Sequence, residues 1–323
     1  MIFPKEHTIP KMIKDSVSAY GNLPAQQVRI KDGVFRQISY REMFQNSLDF
    51  GAALIKHGVG RNQPVGLIAD NCEEWLNASV GIMSIGAFDV PRGCNSTADD
   101  LMKILSITEC KIVVTQNAAQ INKLVEIKKD LPHLEKIISI QDNAKPELLD
   151  SLKALNLEYI SFKDIVIEGK QWRVENPGVV EKEVDKGSGD ELATIIFTSG
   201  TTGNPKGVML THSNFLLQLD ECEYRMYLNP GENCLSVLPV WHVFEREVEY
   251  VILVQGCAIC YSKPVGSILL ADLKKMNPVV LPAVPRIFEA VYDGITKKMR
   301  RSGGLVNKMF NFFINVAIIQ KRS

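Results

Sequence analysis

Strand-length apolar runs alternate with amphipathic stretches along most of this chain, and that alternation leaves few folds open. P-V-G-L-I-A at 64–69 is a short strand. Asn71-Cys-Glu-Glu74 reads as a helix cap with a carboxylate three residues in, and Trp75, Leu76, Ile82 and Met83 recur behind it near helical spacing. Ser96-Thr97 opens another helix, with Leu101, Ile104, Leu105 and Thr108 on one face. Residues 111–115 then read as strand, 118–129 as helix and 136–140 as strand. This order predicts an α/β fold of layered, largely parallel sheets covered by helices.

The pattern weakens over 143–190, where N-P-G and the charged run E-K-E-V-D-K-G-S-G-D read as a solvated connection. It then resumes with strands at 192–198, 234–238, 257–261 and 278–281, and helices at 212–228, 244–253 and 287–299. For 323 residues the length prior is about two units. The expected division is a first α/β lobe at 1–185 and a second at 186–323.

Charge and cysteine content narrow the function classes. Lys+Arg and Asp+Glu both number 37, so there is no bulk positive field for nucleic acid. No stretch reaches the roughly 18 uninterrupted apolar residues of a membrane span. The N-terminus has no apolar core of signal-peptide length, so the seven cysteines read as reduced thiols in a cytoplasmic protein. Cys257-Ala-Ile-Cys260 has redox or zinc spacing, but it lies in an apolar strand without a second ligand pair and reads as buried core.

The chemistry concentrates at 198–207, T-S-G-T-T-G-N-P-K-G, which follows the apolar run A-T-I-I-F. Glycines let the backbone turn tightly and aim N–H groups at an anion. Hydroxyls and the Lys206 ammonium add donors and a point charge for phosphate. It is not a Walker A loop: Gly200 does precede Lys206 by the six residues of that pattern, but Pro205 stands where the second glycine belongs and Gly207 replaces the magnesium hydroxyl. Physical reasoning alone predicts a phosphate-binding turn of another kind.

The longer stretch I-F-T-S-G-T-T-G-N-P-K-G-V-M-L-T-H resembles the AMP-binding signature of the adenylate-forming superfamily. D-N-C-E-E-W and G-A-F-D-V-P-R-G-C within 70–94, L-P-V-W-H-V-F-E-R at 238–246 and L-P-A-V-P-R-I-F-E at 281–289 narrow it to the long-chain fatty-acid–CoA ligase branch. The resemblance implies attack of a fatty-acid carboxylate on ATP to give acyl-AMP, then displacement of AMP by coenzyme A. It implies that Thr198, Ser199, Gly200, Thr201, Thr202, Gly203 and Lys206 grip the β and γ phosphates, and that Thr201 helps hold Mg2+. It places His242 near the substrate carboxylate, although a histidine beside Trp241 and Phe244 also fits a packed core. Glu245 and Arg246 read either as an internal ion pair or as site residues. Trp75, Asp89, Pro91, Arg92 and Arg286 read as architectural.

The adenine-binding Y-G-x-T-E of that family, its ribose-binding aspartate and its C-terminal lysine do not occur in these residues. The expectation is therefore an incomplete N-terminal domain of an adenylate-forming enzyme, inactive alone. The competing readings are a non-catalytic nucleotide- or lipid-binding remnant and one half of a split enzyme completed by a partner. Residues 305–319 place Leu305, Met309, Phe312, Phe313 and Val316 on one face, flanked by Lys297, Lys298, Arg300, Arg301, Lys321 and Arg322. That pattern fits either a helix packed on further polypeptide or peripheral contact with a membrane.

Overall fold

The computed structural model describes residues 3–4, 6–30, 33–199, 205–223 and 226–320. In chain order, the first part runs α1 (Ile9–Tyr20), β1 (Pro24–Arg29), β2 (Phe35–Ser39), α2 (Tyr40–Lys56), β3 (Pro64–Ile68), α3 (Glu73–Ser84) and β4 (Phe88–Arg92). It continues through α4 (Ala98–Thr108), β5 (Ile112–Thr115), α5 (Ala118–Ile127), β6 (Lys136–Ser139), α6 (Pro146–Ala154) and β7 (Glu158–Ser161). Next come α7 (Phe162–Glu175), α8 (Val179–Lys186), β8 (Leu192–Ser199), β9 (Pro205–Thr211), α9 (His212–Glu223) and β10 (Asn233–Ser236). The last are α10 (Val243–Val254), β11 (Ala258–Tyr261), α11 (Gly266–Met276), α12 (Pro285–Ser302) and α13 (Gly304–Gln320).

Local chemistry explains the elements that the sequence signals clearly. All four residues of β5, I-V-V-T, are buried, as befits a central parallel strand covered on both faces. Thr97 caps α4 reciprocally with Asp100: the Asp100 N–H donates to Thr97 Oγ1 at 3.1 Å, and the Thr97 N–H donates to Asp100 Oδ2 at 3.2 Å. Leu101, Ile104 and Leu105 then turn inward on one helical face.

A seven-stranded sheet has the order β7-β6-β5-β3-β4-β8-β9, and a four-stranded sheet has the order β10-β11-β1-β2. In the larger sheet every pair is parallel except β8–β9, and in the smaller one only β1–β2 is antiparallel. Helices cover the sheets, as the βαβ rhythm requires. Each sheet draws strands from both sides of residue 185, so a division into 1–185 and 186–323 does not follow the sheets.

Several local expectations change. The weak region holds α6, β7, α7 and α8 instead of an open connection. Ser161 caps α7 by accepting from the Asp164 N–H at 3.1 Å, and the charged run packs because Val180 and Val184, four apart in α8, are buried. Residues 205–211 form β9, an edge strand whose middle residues are exposed; Pro205 sits at its start, where a missing N–H costs no ladder bond. Residues 278–281 give only an isolated bridge, Cys234 to Val280, with proline at 278 and again at 282. Cys257 and Cys260 are both buried free thiols in the core.

Candidate functional site

The larger sheet changes direction at β3. From β3 the chain moves to β4 on one side and then jumps back to β5 on the other. In open parallel sheets the crevice outside the carboxyl ends at such a point is where ligands bind. The turns found there carry Asp70-Asn71 after β3 and Gly93-Cys94 after β4, with the end of β8 at the same edge.

The glycine-rich turn is the connection of the β8–β9 hairpin, not a strand-to-helix phosphate loop. Its register pairs Thr198 with Lys206 and Ser199 with Pro205. Cross-strand partners share a sheet face, so the Thr198 hydroxyl and the exposed Lys206 side chain start from neighbouring positions. Gly207 opposes Phe197; a Cβ there would come within 2.8 Å of Ile195 Cγ2, so only glycine lets the strands close at this register. Gly200, Thr201, Thr202 and Gly203 lie outside the described residues, as do Lys321 and Arg322.

His242 stands at the N-cap of α10. It is largely exposed to the crevice and is not a packed core residue. Its ring lies 3.9 Å from the Trp241 ring, centroid to centroid. Partial burial, reinforced by the Arg92 charge, lowers the His242 pKa, so the imidazole is neutral near pH 7. A neutral imidazole offers one N–H donor and one acceptor nitrogen without adding charge.

Arg92 joins the two halves of the crevice. It donates to the Phe197 carbonyl at 3.1 Å, one residue before Thr198, and its guanidinium sits 5.5 Å from the Trp241 ring centroid. Gly93 makes this possible, because a Cβ there would run into the Trp241 indole. Sequence reasoning named no partner for Arg92; its link between the end of β8 and Trp241 is set by the fold.

The helix behind His242 is held by buried charge. Arg246 and Asp89 are fully buried and paired through two bonds of 2.9 and 2.7 Å. An ion pair between Glu245 and Arg246, one of the two readings of these neighbours, is not what Arg246 makes: its partner is Asp89. Burial alone would lower the Arg246 pKa, but Asp89 outweighs it and raises it. Glu245 instead accepts from the Val237 N–H at 3.0 Å. Burial raises the pKa of Glu245 to about 7 and that of Glu249 to about 8, the latter aided by repulsion from Glu245. His212, at the end of the signature, is also buried; burial, then the charges of Arg246, Arg61 and Lys11, push its pKa down to about 3. It accepts from the Ile9 N–H at 3.4 Å, a packing role.

No group of three or more His, Cys, Asp or Glu side chains suited to a metal occurs among the described residues, and no helix among them is long and apolar enough to cross a membrane.

This chain is 31% identical over 297 residues to a chloroplastic long-chain-fatty-acid–[acyl-carrier-protein] ligase of Arabidopsis thaliana, AEE15, covering 91% of this chain and 40% of that protein. It is 29% identical over 296 residues to long-chain-fatty-acid–CoA ligase 1 of Homo sapiens, covering 89% and 41%. The chain thus spans about 40% of the length of the curated relatives it matches. Its fold is similar to the adenylation–carrier didomain of carboxylic acid reductase from Segniliparus rugosus in complex with AMP, with TM-score 0.78, 20% identity and coverage of 92% and 45%. It is also similar to the N-terminal domain of FACL13 from Mycobacterium tuberculosis, with TM-score 0.70, 20% identity and coverage of 88% and 64%. The AMP-binding enzyme family matches residues 14–310, a span that runs through both sheets and both walls of the crevice, and the chain belongs to that family.

Proposed function

We propose that this chain supplies the phosphate-gripping and carboxylate-facing walls of a long-chain fatty-acid ligase that forms acyl-AMP and then a thioester. The observation that supports this reading is the link through Arg92 between the β8–β9 hairpin and the Trp241-His242 pair at one sheet edge. A carboxylate is a poor acylating agent because oxide would have to leave; adenylation gives it AMP as leaving group. In the first step a carboxylate oxygen bonds the α-phosphorus of ATP, and the bond to pyrophosphate breaks. In the second, a thiolate bonds the acyl carbon and AMP departs.

Within this reading Lys206 and Thr198 hold the pyrophosphate end with Ser199, Gly200, Thr201, Thr202 and Gly203, and His242 donates an N–H to the carboxylate or acyl-phosphate oxygen. Such donors act by positioning and by stabilising charge on the departing group. Thr201 offers a hard oxygen of the kind Mg2+ prefers, and the ion when bound would neutralise phosphate charge. Coenzyme A is the acceptor on this reading. The likeness to AEE15 favours a second one, the phosphopantetheine thiol of an acyl-carrier protein. The exposed Leu305, Met309, Phe312 and Phe313 beside Lys297, Lys298, Arg300 and Arg301 support peripheral contact with a membrane surface.

The test is ATP–pyrophosphate exchange dependent on a long-chain fatty acid, followed by thioester formation with coenzyme A and, separately, with acyl-carrier protein. Residues 1–323 alone are expected to show little exchange, because they do not include the family's adenine-binding motif or C-terminal lysine. The longest polypeptide containing them, or 1–323 with a separately encoded second half, is expected to show it. Exchange with acetate but not palmitate, or none in either form, would overturn the proposal.

A further inference from the structure

Asn71 stands in the turn between β3 and α3, where the sequence reads as a helix cap. It does not cap α3, whose N-cap is Cys72. All three of its side-chain hydrogen bonds go to one distant segment. Nδ2 donates to Ser236 Oγ at 2.7 Å and to the Leu238 carbonyl at 2.7 Å, and Oδ1 accepts from the Val240 N–H at 3.0 Å. Residues 236–240 lead directly into Trp241 and His242.

The same segment is held from its other side by α10. The Val237 N–H donates to Glu245 at 3.0 Å, and Ser236 Oγ donates to Glu249 at 2.8 Å. Ser236 Oγ therefore accepts from Asn71 and donates to Glu249, so one hydroxyl joins the two supports. A side-chain amide is the one group of this size with two donors and an acceptor in a plane. An aspartate has no donor when ionised, and leucine of similar volume has no polar atom at all.

We propose that Asn71 is a positioning residue: it fixes the 236–240 backbone to the carboxyl end of β3 and so places His242 at the crevice. This rests on the reading of His242 as facing the acyl carboxylate. A tie that served stability alone would change melting without moving His242. Loss of a positioning tie moves the ring relative to Arg92 and Trp241, and a displacement near 1 Å is enough to cost on the order of 100-fold in rate.

The experiment uses the full chain with its five histidines labelled at 13Cε1. His242 is assigned from the spectrum of H242Q. In the unaltered chain it titrates below its ordinary value, through burial and Arg92. In Asn71→Leu it is expected to titrate higher than in the unaltered chain, as the ring loses its partial burial and leaves Arg92, while the other four histidines stay in place. Tyr40→Phe is the control: it removes buried bonds to the Leu253 and Cys257 carbonyls far from the crevice, and should lower stability without shifting His242. Should Asn71→Leu not fold, Ser236→Ala, which breaks the shared hydroxyl link, is expected to shift His242 in the same direction by less. An unmoved His242 in the folded variant that is read overturns the proposal. Laurate added to the unaltered chain separates the two levels. If it leaves the His242 resonance unperturbed, the acyl-site reading falls, whereas a shift in Asn71→Leu would still establish the clamp.

Discussion

Replacing Arg246 probes whether the buried pair behind His242 anchors α10 to the larger sheet. The guanidinium and the Asp89 carboxylate are both fully buried and make two bonds of 2.9 and 2.7 Å. Arg246 also donates to Tyr250 Oη at 2.8 Å and to Ser79 Oγ at 2.9 Å, and lies 5.3–5.8 Å from the centroids of Trp75, Phe215 and Tyr250. Removing one member of a buried pair costs about 3–5 kcal/mol, because the other is left charged and desolvated. In Arg246→Met, Asp89 keeps hydroxyl donors from Ser79 and Thr194, both at 2.6 Å, which points to the low end of that range. In Asp89→Asn the guanidinium keeps its hydroxyl and ring neighbours but loses its hydrogen-bonded counter-charge, leaving only the more distant pull of Glu247 and Glu249, which points to the high end. Total stabilities of about 5–15 kcal/mol make either loss readily measurable. The double variant D89N/R246M should lose markedly less than the sum of the singles, since no unpaired charge remains. Urea unfolding followed by far-ultraviolet circular dichroism measures all three. Single losses under about 1 kcal/mol, or an additive double variant, would refute the anchoring role.

Glu249 gives a pH test with a definite sign. Its folded pKa is raised to about 8 by burial and then by Glu245, so its contribution to stability is complete below about pH 4.3 and is lost as pH rises through 8. Glu249→Gln should flatten that decline by on the order of 4 kcal/mol between pH 5 and 9, measured by urea unfolding across pH. Lys206→Ala, on an exposed edge-strand position, should weaken pyrophosphate binding by calorimetry about 10-fold while moving the melting temperature by no more than about 2 °C. Phe312 and Phe313 are 63% and 62% exposed, so F312S/F313S should reduce self-association and hydrophobic-dye binding with little change in unfolding, and light scattering reads this directly.

Local periodicity and turn chemistry were enough to place β3, α4, β5 and α10 and to single out the 198–207 turn, because each is written within a dozen neighbouring residues. The long signature likewise carried the family. Tertiary structure decided what the turn connects. Only the pairing of 205–211 with β8 makes it a hairpin, and P-K-G at its start reads locally as more loop. Pairing across the chain also made β1 and β2 part of a sheet with β10 and β11, something no local window records. The site shows the same division. His242 is legible from its motif, but Asn71 and Arg246 find partners 167 and 157 residues away, at Leu238 and Asp89. A side chain's type states which bonds it can make. Which of its many possible partners it meets depends on where the backbone brings them, and that is settled only when the strands take their order in the sheets.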